Sequence, residues 1–361
     1  MEQPSTTPGR SGAEWPEEDP IRSVAAVWQY VPPDRGIRSA IPEEILAGLT
    51  ADVYFVGTRE VLTHLGKSEA VVTAEVFANQ RGILAGVEEA LALLRGRPLL
   101  VEALPEGSPI EPKQVVMRIT GRYQVFGLME TALLGILAAS SGWATAAREV
   151  AEAADPWPVF SFGARHVHPA VASVMDRAAL VGGARGASSI LGARQAGLKP
   201  AGTMPHALIL IVGDTVEAAR AYDAVLPPEA PRTVLVDTFQ DETVEAVRVA
   251  QAMAGRLDAV RLDTPRERGG VTPQLVRELK VRLTQAGFPE VGIFVSGGLT
   301  PDRIVALKAA GATGFGVGSY IAAAPPIDMT MDIKAVEGVP RTKRGRIPGI
   351  TPAPGLVWRL P

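Results

Sequence analysis

Short apolar runs alternate with longer amphipathic segments between residues 158 and 321, and each apolar run ends in glycine, Asp-Thr or Ser-Gly. Several runs are continuously apolar, which is typical of parallel strands covered by helices on both faces. The alternation indicates repeated β/α units. We therefore predict strands over residues 159–163, 179–183, 233–237, 259–263, 292–296 and 314–318.

Two helix starts are visible in the same region. Thr272-Pro273 and Thr300-Pro301 each place a hydroxyl residue before a proline at the first helical position, where the missing N–H costs nothing. His168-Pro169 indicates another start. No fixed-period repeat is present, so the alternation predicts a barrel and not a solenoid.

The remaining sequence predicts a second, smaller unit. Mixed apolar patterns suggest strands over 52–56, 70–77, 99–103 and 115–119 and a helix over 83–94. A long helical stretch over 124–153 is expected to break or bend near Ser140-Ser141-Gly142. The C-terminal tail should fold back, because its last Trp and Leu need cover. The predicted fold is α/β: an open or irregular β/α barrel with a smaller α/β domain built from the N-terminal part plus the tail. The expected division is a flexible tail (1–20), a smaller domain (21–125 with 326–361), a helical connection (126–157) and a barrel (158–325).

Composition narrows the chemistry. The 361 residues are 47% hydrophobic and 21% charged, which is globular composition. A net charge of −3 gives no general attraction to nucleic acid or acidic membranes. With no cysteine, a thiolate metal site and a cysteine nucleophile are excluded. The apolar stretch near residues 131–139 is shorter than the ~20 residues of a membrane span. No secretory signal pattern is present, so we expect a cytoplasmic protein.

Two glycine turns follow the last two predicted strands. They are Ser296-Gly297-Gly298 and Gly316-Val317-Gly318-Ser319. Glycine lets the backbone approach a phosphate closely, and free amides at helix starts bind it without a formal charge. Either turn alone is more often a simple tight turn. Together, on the final strands of a barrel, they predict a phosphate site.

Polar side chains also end other predicted strands. Asp237 and Asp263 follow apolar runs, where an aspartate either caps a helix or, as a pair, holds sugar hydroxyls or the waters of Mg²⁺. Arg165 follows the first strand and could bind a carboxylate or phosphate with two hydrogen bonds. His166 and His168 form an H-x-H pair without a visible third metal ligand, so metal is the weaker interpretation. His206 lies on an expected strand-to-helix turn rich in glycine and small residues.

These motifs together resemble nicotinate phosphoribosyltransferases, particularly the shorter archaeal and bacterial forms, within the type II phosphoribosyltransferases that include quinolinate phosphoribosyltransferase. Only about the first 20 residues fall outside the resemblance. The matching segments are residues 50–55, 161–168, 202–208, 296–301, 314–319 and 343–346.

The resemblance implies an enzyme of NAD biosynthesis. Nicotinate would attack C1 of 5-phosphoribosyl-1-pyrophosphate, giving nicotinate mononucleotide and Mg-pyrophosphate. His206 would take a phosphoryl group from ATP and couple its hydrolysis to product formation, with ligase and glycosyltransferase character. The turn at Thr203 would leave room for that phosphate. The implied ligands are nicotinate, 5-phosphoribosyl-1-pyrophosphate, ATP and Mg²⁺. The implied assembly is a homodimer or a higher homo-oligomer.

The same resemblance implies roles for single residues. Arg165 would bind the nicotinate carboxylate, and Tyr54 from the neighbouring subunit would stack on the pyridine ring. Ser188 would contact ligand. His166 stands where many relatives have a second arginine, which disfavours a second carboxylate. The glycine turns would hold the 5-phosphate, and the two aspartates the ribose or the metal.

Two alternatives remain open. One is a quinolinate phosphoribosyltransferase, which decarboxylates its substrate and ignores ATP; the segment around His206 and a pocket sparse in cations weigh against it. The other is a non-catalytic barrel that binds phosphoribosyl ligands. An assay of turnover separates them.

Overall fold

The computed structural model describes residues 19–360 except 33, 34, 37 and 254. It is a mixed α/β protein with a parallel, barrel-like sheet and a smaller antiparallel sheet, so the predicted fold class is confirmed. Most of the predicted flexible tail, residues 1–18, lies outside the described residues.

Helices occupy both domains and the connection between them. Within the described ranges they are α1 (Val24–Gln29), α2 (Pro42–Ala47), α3 (Val53–His64), α4 (Val87–Leu94), α5 (Tyr123–Phe126), α6 (Glu130–Ala154), α7 (Pro169–Gly182), α8 (Ile190–Gln195), α9 (His206–Val212), α10 (Thr215–Val225), α11 (Glu242–Met253), α12 (Pro273–Gln285), α13 (Pro301–Ala310) and α14 (Ser319–Ala322), with 3₁₀ turns at Gly127–Met129, Gly163–His166 and Arg266–Arg268.

Strands form two large sheets and one short pair. They are β1 (Val71–Ala78), β2 (Gly82–Ile83), β3 (Leu99–Ala103), β4 (Pro109–Ile110), β5 (Val115–Arg122), β6 (Val159–Ser161), β7 (Gly186–Ala187), β8 (Thr233–Leu235), β9 (Ala259–Leu262), β10 (Gly292–Ser296), β11 (Gly314–Val317), β12 (Met329–Val336), β13 (Val339–Pro340) and β14 (Val357–Leu360).

The smaller domain is a six-stranded sheet in the order β13-β12-β1-β5-β3-β14, with antiparallel pairing. One face packs on α4 and the first half of α6. The last strand, β14, comes from the C-terminal tail, which folds back onto β3; Leu360 packs on the core, whereas Trp358 is 66% exposed. Residues 52–56, expected as a strand, begin helix α3 instead. Their β-branched and aromatic residues suit a strand locally, and five residues are too few to fix the period.

The barrel sheet is parallel, in the order β7-β6-β11-β10-β9-β8, and its edge strands β7 and β8 are not paired with each other. The segment between α8 and α9 spans this opening. Ala201 N–H donates to the Ala187 carbonyl at 2.8 Å, and Met204 N–H donates to the Thr233 carbonyl at 3.3 Å. Thr203 is thereby fixed at the barrel wall.

The prediction of a strand over residues 179–183 was wrong, because these residues end helix α7. The apolar run there buries a helix face and not a strand. Gly182 lies directly against the Ala144 carbonyl, so small residues let α7 pack closely on α6. The strand at this point of the sheet is β7, further along the chain.

Helix α6 is continuous over 25 residues, so the break expected near Ser140 is absent. Its small residues serve close packing: Gly142 lies against the Pro325 carbonyl, and Ser141 Oγ accepts from Ala85 N–H at 3.0 Å. By length and composition alone, the helical segment Tyr123–Ala154 could cross a membrane. It is longer than the apolar stretch near residues 131–139 that the sequence indicated. It is the core helix of this fold, since its two halves pack in the cores of the two domains.

The predicted helix starts are confirmed. Thr272 Oγ1 accepts from Leu275 N–H at 3.2 Å, and Thr300 Oγ1 accepts from Arg303 N–H. His168 Nδ1 caps α7 by accepting from Ala170 N–H at 3.2 Å. These caps fix the loops that leave the barrel strands at one end of the sheet.

Candidate functional site

Polar residues gather where the parallel barrel strands end. Asp237 follows β8, Asp263 follows β9, Ser296 ends β10 and Gly318 follows β11. The carboxyl ends of parallel strands meet at one edge of the sheet, which is where barrel enzymes place their sites. We call this edge the mouth.

A buried carboxylate links two loops of the mouth. The Asp237 side chain is 1% exposed; its Oδ1 lies 3.2 Å from His206 Nε2, and its Oδ2 accepts from Asp263 N–H at 3.0 Å. Burial raises the pKa of Asp237, and the nearby His206 ring opposes that rise. His206 therefore lies at the same end of the barrel as the glycine turns, on the first turn of α9.

Arg261 on β9 is the central cation of the mouth, and the sequence analysis missed it. Its Nε donates to Ser296 Oγ at 2.9 Å, one Nη to Thr203 Oγ1 at 2.7 Å and the other to Asp263 Oδ2 at 3.1 Å. Burial lowers the pKa of Arg261, an effect that Asp263 opposes. A signal was available, because side chains two residues apart on a strand share a face and Arg261 is two residues before Asp263.

An aromatic floor lies beside this cation. The Arg261 guanidinium is 5.4 Å from the centre of the Phe162 ring, and Phe162 packs on Phe294 at 5.9 Å. A cavity of about 350 Å³ borders Phe162, Phe294 and Thr203.

Arg165 and His166 lie in the 3₁₀ turn after β6, and both are exposed. In the part of the chain that the structure describes, Arg165 makes no hydrogen bond or ion pair. After burial, the main cause, the positive charge of Arg165 also contributes to the lowered pKa of Arg261. His166 Nε2 lies 3.0 Å from where a Cβ on Gly318 would stand, against the second glycine turn.

The first glycine turn has two successive left-handed residues, Gly297 (φ +90°) and Gly298 (φ +58°). Among the described residues, no acceptor takes the amides of Gly297, Gly298, Gly318 or Ser319. Unpaired amides on both turns are what an anion site needs. Ser296 is engaged otherwise, because its Oγ donates to Asp263 Oδ1 at 2.8 Å. Gly316 is buried within β11, packed against the Phe162 ring.

Two further predicted residues lie apart from this network. Tyr54 is 61% exposed on α3, where its hydroxyl donates to Asp52 Oδ2 at 3.2 Å and its ring packs on Phe55. These contacts are within the smaller domain. Ser188 is half-buried after β7, and its N–H donates to the Ser161 carbonyl at 3.0 Å.

The mouth offers little to a metal ion by itself. Over the described ranges no cluster of three His, Cys, Asp or Glu residues could hold one. Oxygens of Asp237 and Asp263 already accept hydrogen bonds. Mg²⁺ is commonly bound by one or two carboxylates plus substrate phosphates. The donor set therefore fits a Mg²⁺ ion that arrives with a phosphorylated substrate.

Comparison with protein families matches both domains. The N-terminal domain of quinolinate phosphoribosyl transferase matches residues 52–141, and its C-terminal domain matches residues 143–332. A nicotinate-nucleotide pyrophosphorylase from Pyrococcus furiosus of known structure is 46% identical, with a TM-score of 0.83 over 88% of this chain and 82% of that one.

Curated relatives include two activities. A nicotinate phosphoribosyltransferase of Mycobacterium tuberculosis is 35% identical over 67% of this chain but only 53% of its own length. The chain thus spans about half of that relative. The human nicotinate-nucleotide pyrophosphorylase (carboxylating) is 28% identical over 75% of this chain and 85% of its own length.

These matches correct the expectation drawn from the motifs. The family models cover both domains and name quinolinate phosphoribosyl transferase, so the nicotinate family assignment was wrong. Four expectations that depended on this assignment were therefore also wrong: the ATP-dependent ligase activity, ATP as co-substrate, nicotinate as the partner and the phosphohistidine at His206. The chain belongs to the quinolinate phosphoribosyl transferase family.

Proposed function

We propose that the protein is a decarboxylating quinolinate phosphoribosyltransferase. It would join the ribosyl C1 of 5-phosphoribosyl-1-pyrophosphate to the ring nitrogen of quinolinate and release pyrophosphate and CO₂. The observation that carries the proposal is the Arg261 guanidinium, fixed by Ser296, Thr203 and Asp263 at a mouth that also carries the unpartnered Arg165 and unpaired turn amides. Quinolinate carries two adjacent carboxylates, and two guanidinium groups match that charge and planar geometry.

The ligands would divide the mouth between them. Arg261 and Arg165 would hold the two carboxylates, with the pyridine ring over Phe162. The expectation of a pocket sparse in cations overlooked Arg261, which lies inside an otherwise apolar strand. The amides of Gly297, Gly298, Gly318 and Ser319 would hold the 5-phosphate. Thr203, on the barrel wall, and His166, beside the second glycine turn, would line the approach.

The chemistry requires positioning more than proton transfer. The nitrogen lone pair forms the bond to C1 as the C1–oxygen bond to pyrophosphate breaks. The ring nitrogen is then cationic, so it stabilises the electron pair left on the neighbouring carbon when CO₂ departs, and water supplies the proton. Asp237 and Asp263 would face the ribosyl centre as it gains positive charge. Mg²⁺, where bound, neutralises pyrophosphate.

His206 has a positioning role in this proposal. Its Nε2 engages the buried Asp237 carboxylate at 3.2 Å, and Asp237 in turn holds the Asp263 backbone. The imidazole thus fixes the two strand ends that carry the aspartates.

We further propose a cytoplasmic homo-oligomer that serves NAD biosynthesis, in which Tyr54 of a second copy reaches the mouth. The Tyr54 ring supports this arrangement, because it is 61% exposed on the smaller domain and therefore accessible to a second copy.

The test is an assay of turnover by the purified protein with quinolinate, 5-phosphoribosyl-1-pyrophosphate and Mg²⁺. Its readouts are the formation of nicotinate mononucleotide and the release of ¹⁴CO₂ from labelled quinolinate. We expect equal amounts of both products and no effect of ATP. A parallel reaction contains nicotinate with and without ATP. If nicotinate but not quinolinate gave product, and ATP increased that product, the proposal would be overturned.

A further inference from the structure

The loop after β9 brings Arg266 to the first glycine turn, where Arg303 of α13 also lies. A Cβ on Gly298 would lie 3.2 Å from Arg266 Nη2 and 3.3 Å from Arg303 Nη1. Two guanidinium groups therefore meet over one glycine, and the missing side chain is what admits them. The left-handed backbone at Gly298 independently favours glycine there.

The two guanidinium groups use their donors differently. Arg303 donates to the carbonyls of Gly297 at 3.1 Å and Gly298 at 2.6 Å, and to that of Val271 at 3.1 Å. These bonds occupy the turn's carbonyls and leave its amides free. Arg266 is exposed, and within the described part of the chain it has no hydrogen-bond or ion-pair partner for its side chain.

The position of Arg266 is set by its own short turn. Gly269 N–H donates to the Arg266 carbonyl at 2.9 Å, which closes the turn, and Gly270 N–H donates to the Pro265 carbonyl at 3.0 Å. The other arginine of the turn, Arg268, is paired with Glu242 at 3.4 Å. One of the two cations is thus neutralised and the other is available.

A phosphate at this turn needs a cation nearby. The turn's amides carry no formal charge, and Asp263 Oδ1 lies 3.1 Å from where a Cβ on Gly297 would stand, so a carboxylate borders the same turn. A phosphate dianion there would be repelled unless a positive charge offset it. A guanidinium can also bind two phosphate oxygens at once.

We propose that Arg266 binds the 5-phosphate of the ribosyl donor together with the amides of Gly297 and Gly298, and that Arg303 is the positioning residue that presents those amides. The proposal rests on the phosphate site of the proposed function, and it does not depend on which pyridine acid is the acceptor.

The test is calorimetric binding of ribose 5-phosphate, which requires no turnover. Losing a charged hydrogen-bond partner should weaken binding about 10- to 100-fold in Arg266→Ala, with a smaller loss in Arg266→Lys. Arg277→Ala, which removes an exposed arginine from α12, is the charge-matched control and should bind like the wild type. Quinolinate affinity should be unchanged in all three variants.

Arg303 is tested by a double-mutant cycle. Arg303→Ala should also weaken ribose 5-phosphate binding, and Arg266→Ala should then cost less than in the wild type, because both act on one turn. Additive losses would contradict the positioning role. Wild-type affinity in Arg266→Ala, or no binding by the wild type, would overturn the inference. If ribose 5-phosphate binding depended on Arg266 but the protein did not turn over quinolinate, only the proposed function would be rejected.

Discussion

The two domains use buried charge in opposite ways. In the smaller domain, four charged residues stand opposite one another on adjacent strands: Asp332 pairs in register with Glu75, Glu75 with Arg118, and Arg118 with Glu102. This row lies on the sheet face away from α4 and α6. At the barrel mouth, Arg261 also meets a carboxylate, but Arg165, in the turn after β6, has no described partner.

The row in the smaller domain is closed by the C-terminal tail. Glu75, 1% exposed, accepts from Arg118 Nε at 3.0 Å and from Thr351 N–H at 2.9 Å. Lys343 and Arg346 each lie 2.7 Å from Asp332. Every buried charge there has an opposite charge or a backbone partner, so the row holds structure.

The mouth differs because several of its donors have no acceptor among the described residues. The exposed Arg165 guanidinium and the amides of both glycine turns have no partner in the part of the chain that the structure describes, so they are available to an anionic ligand. The comparison teaches that closed charge networks stabilise a fold, whereas open ones indicate a binding site. The following variants test this distinction, from the largest expected effect to the smallest.

Arg118→Ala should strongly destabilise the protein. Removing Arg118 leaves the buried Glu75 carboxylate with only the Thr351 N–H and the Lys334 ammonium at 4.0 Å, at a cost of about 3–5 kcal/mol in the free energy of unfolding. Denaturant titration measures it. Ribose 5-phosphate affinity at the mouth should stay within twofold under native conditions. A loss of less than 1 kcal/mol would show that the row is not structural.

Arg261→Ala should act mainly on function. We expect kcat/KM for quinolinate to fall about 10²- to 10³-fold, because a desolvated carboxylate contact is lost. Arg261→Lys is the matched control, which keeps the charge but not the planar donors, and should recover part of the activity. A large fall in stability with little change in kcat/KM would place Arg261 among the structural charges.

Glu130 should make stability depend on pH. Burial first, then Asp332, raises the pKa of this half-buried carboxyl from 4.5 to about 7. The folded state then holds the proton more tightly than the unfolded state, so stability falls as pH rises from about 4.5 to about 7. Glu130→Gln should remove this loss, of the order of 1–3 kcal/mol. Melting curves at pH 5 and pH 8 measure it; an equal pH dependence in both proteins would contradict the account.

The fold was largely predictable because its signals are local. Continuous apolar runs indicated the parallel strands, and Thr-Pro pairs indicated helix starts that the structure confirms. Errors arose where a short segment fits two periods. The start of α3 resembles a strand over five residues, and the end of α7 buries small residues against α6 that only tertiary contact explains.

The site was harder to predict because its key contacts are between distant residues. Arg261 joins Thr203, 58 positions away, and Ser296, 35 positions away. The one local signal, Asp263 two residues further along the strand, indicates neither of these bonds. The family was misassigned because the expectation relied on short motifs. The motif around His206 suggested a phosphohistidine, whereas the matches over both domains support the quinolinate family.

The most direct test of the open mouth is the affinity of the wild-type protein for quinolinate and for nicotinate, measured by calorimetry in the same buffer without ATP. Two guanidinium groups at one mouth should favour the dicarboxylate, and we expect quinolinate to bind at least about tenfold more tightly, since an added charged contact contributes more than about 1.4 kcal/mol. Equal affinities, or tighter binding of nicotinate, would contradict the account.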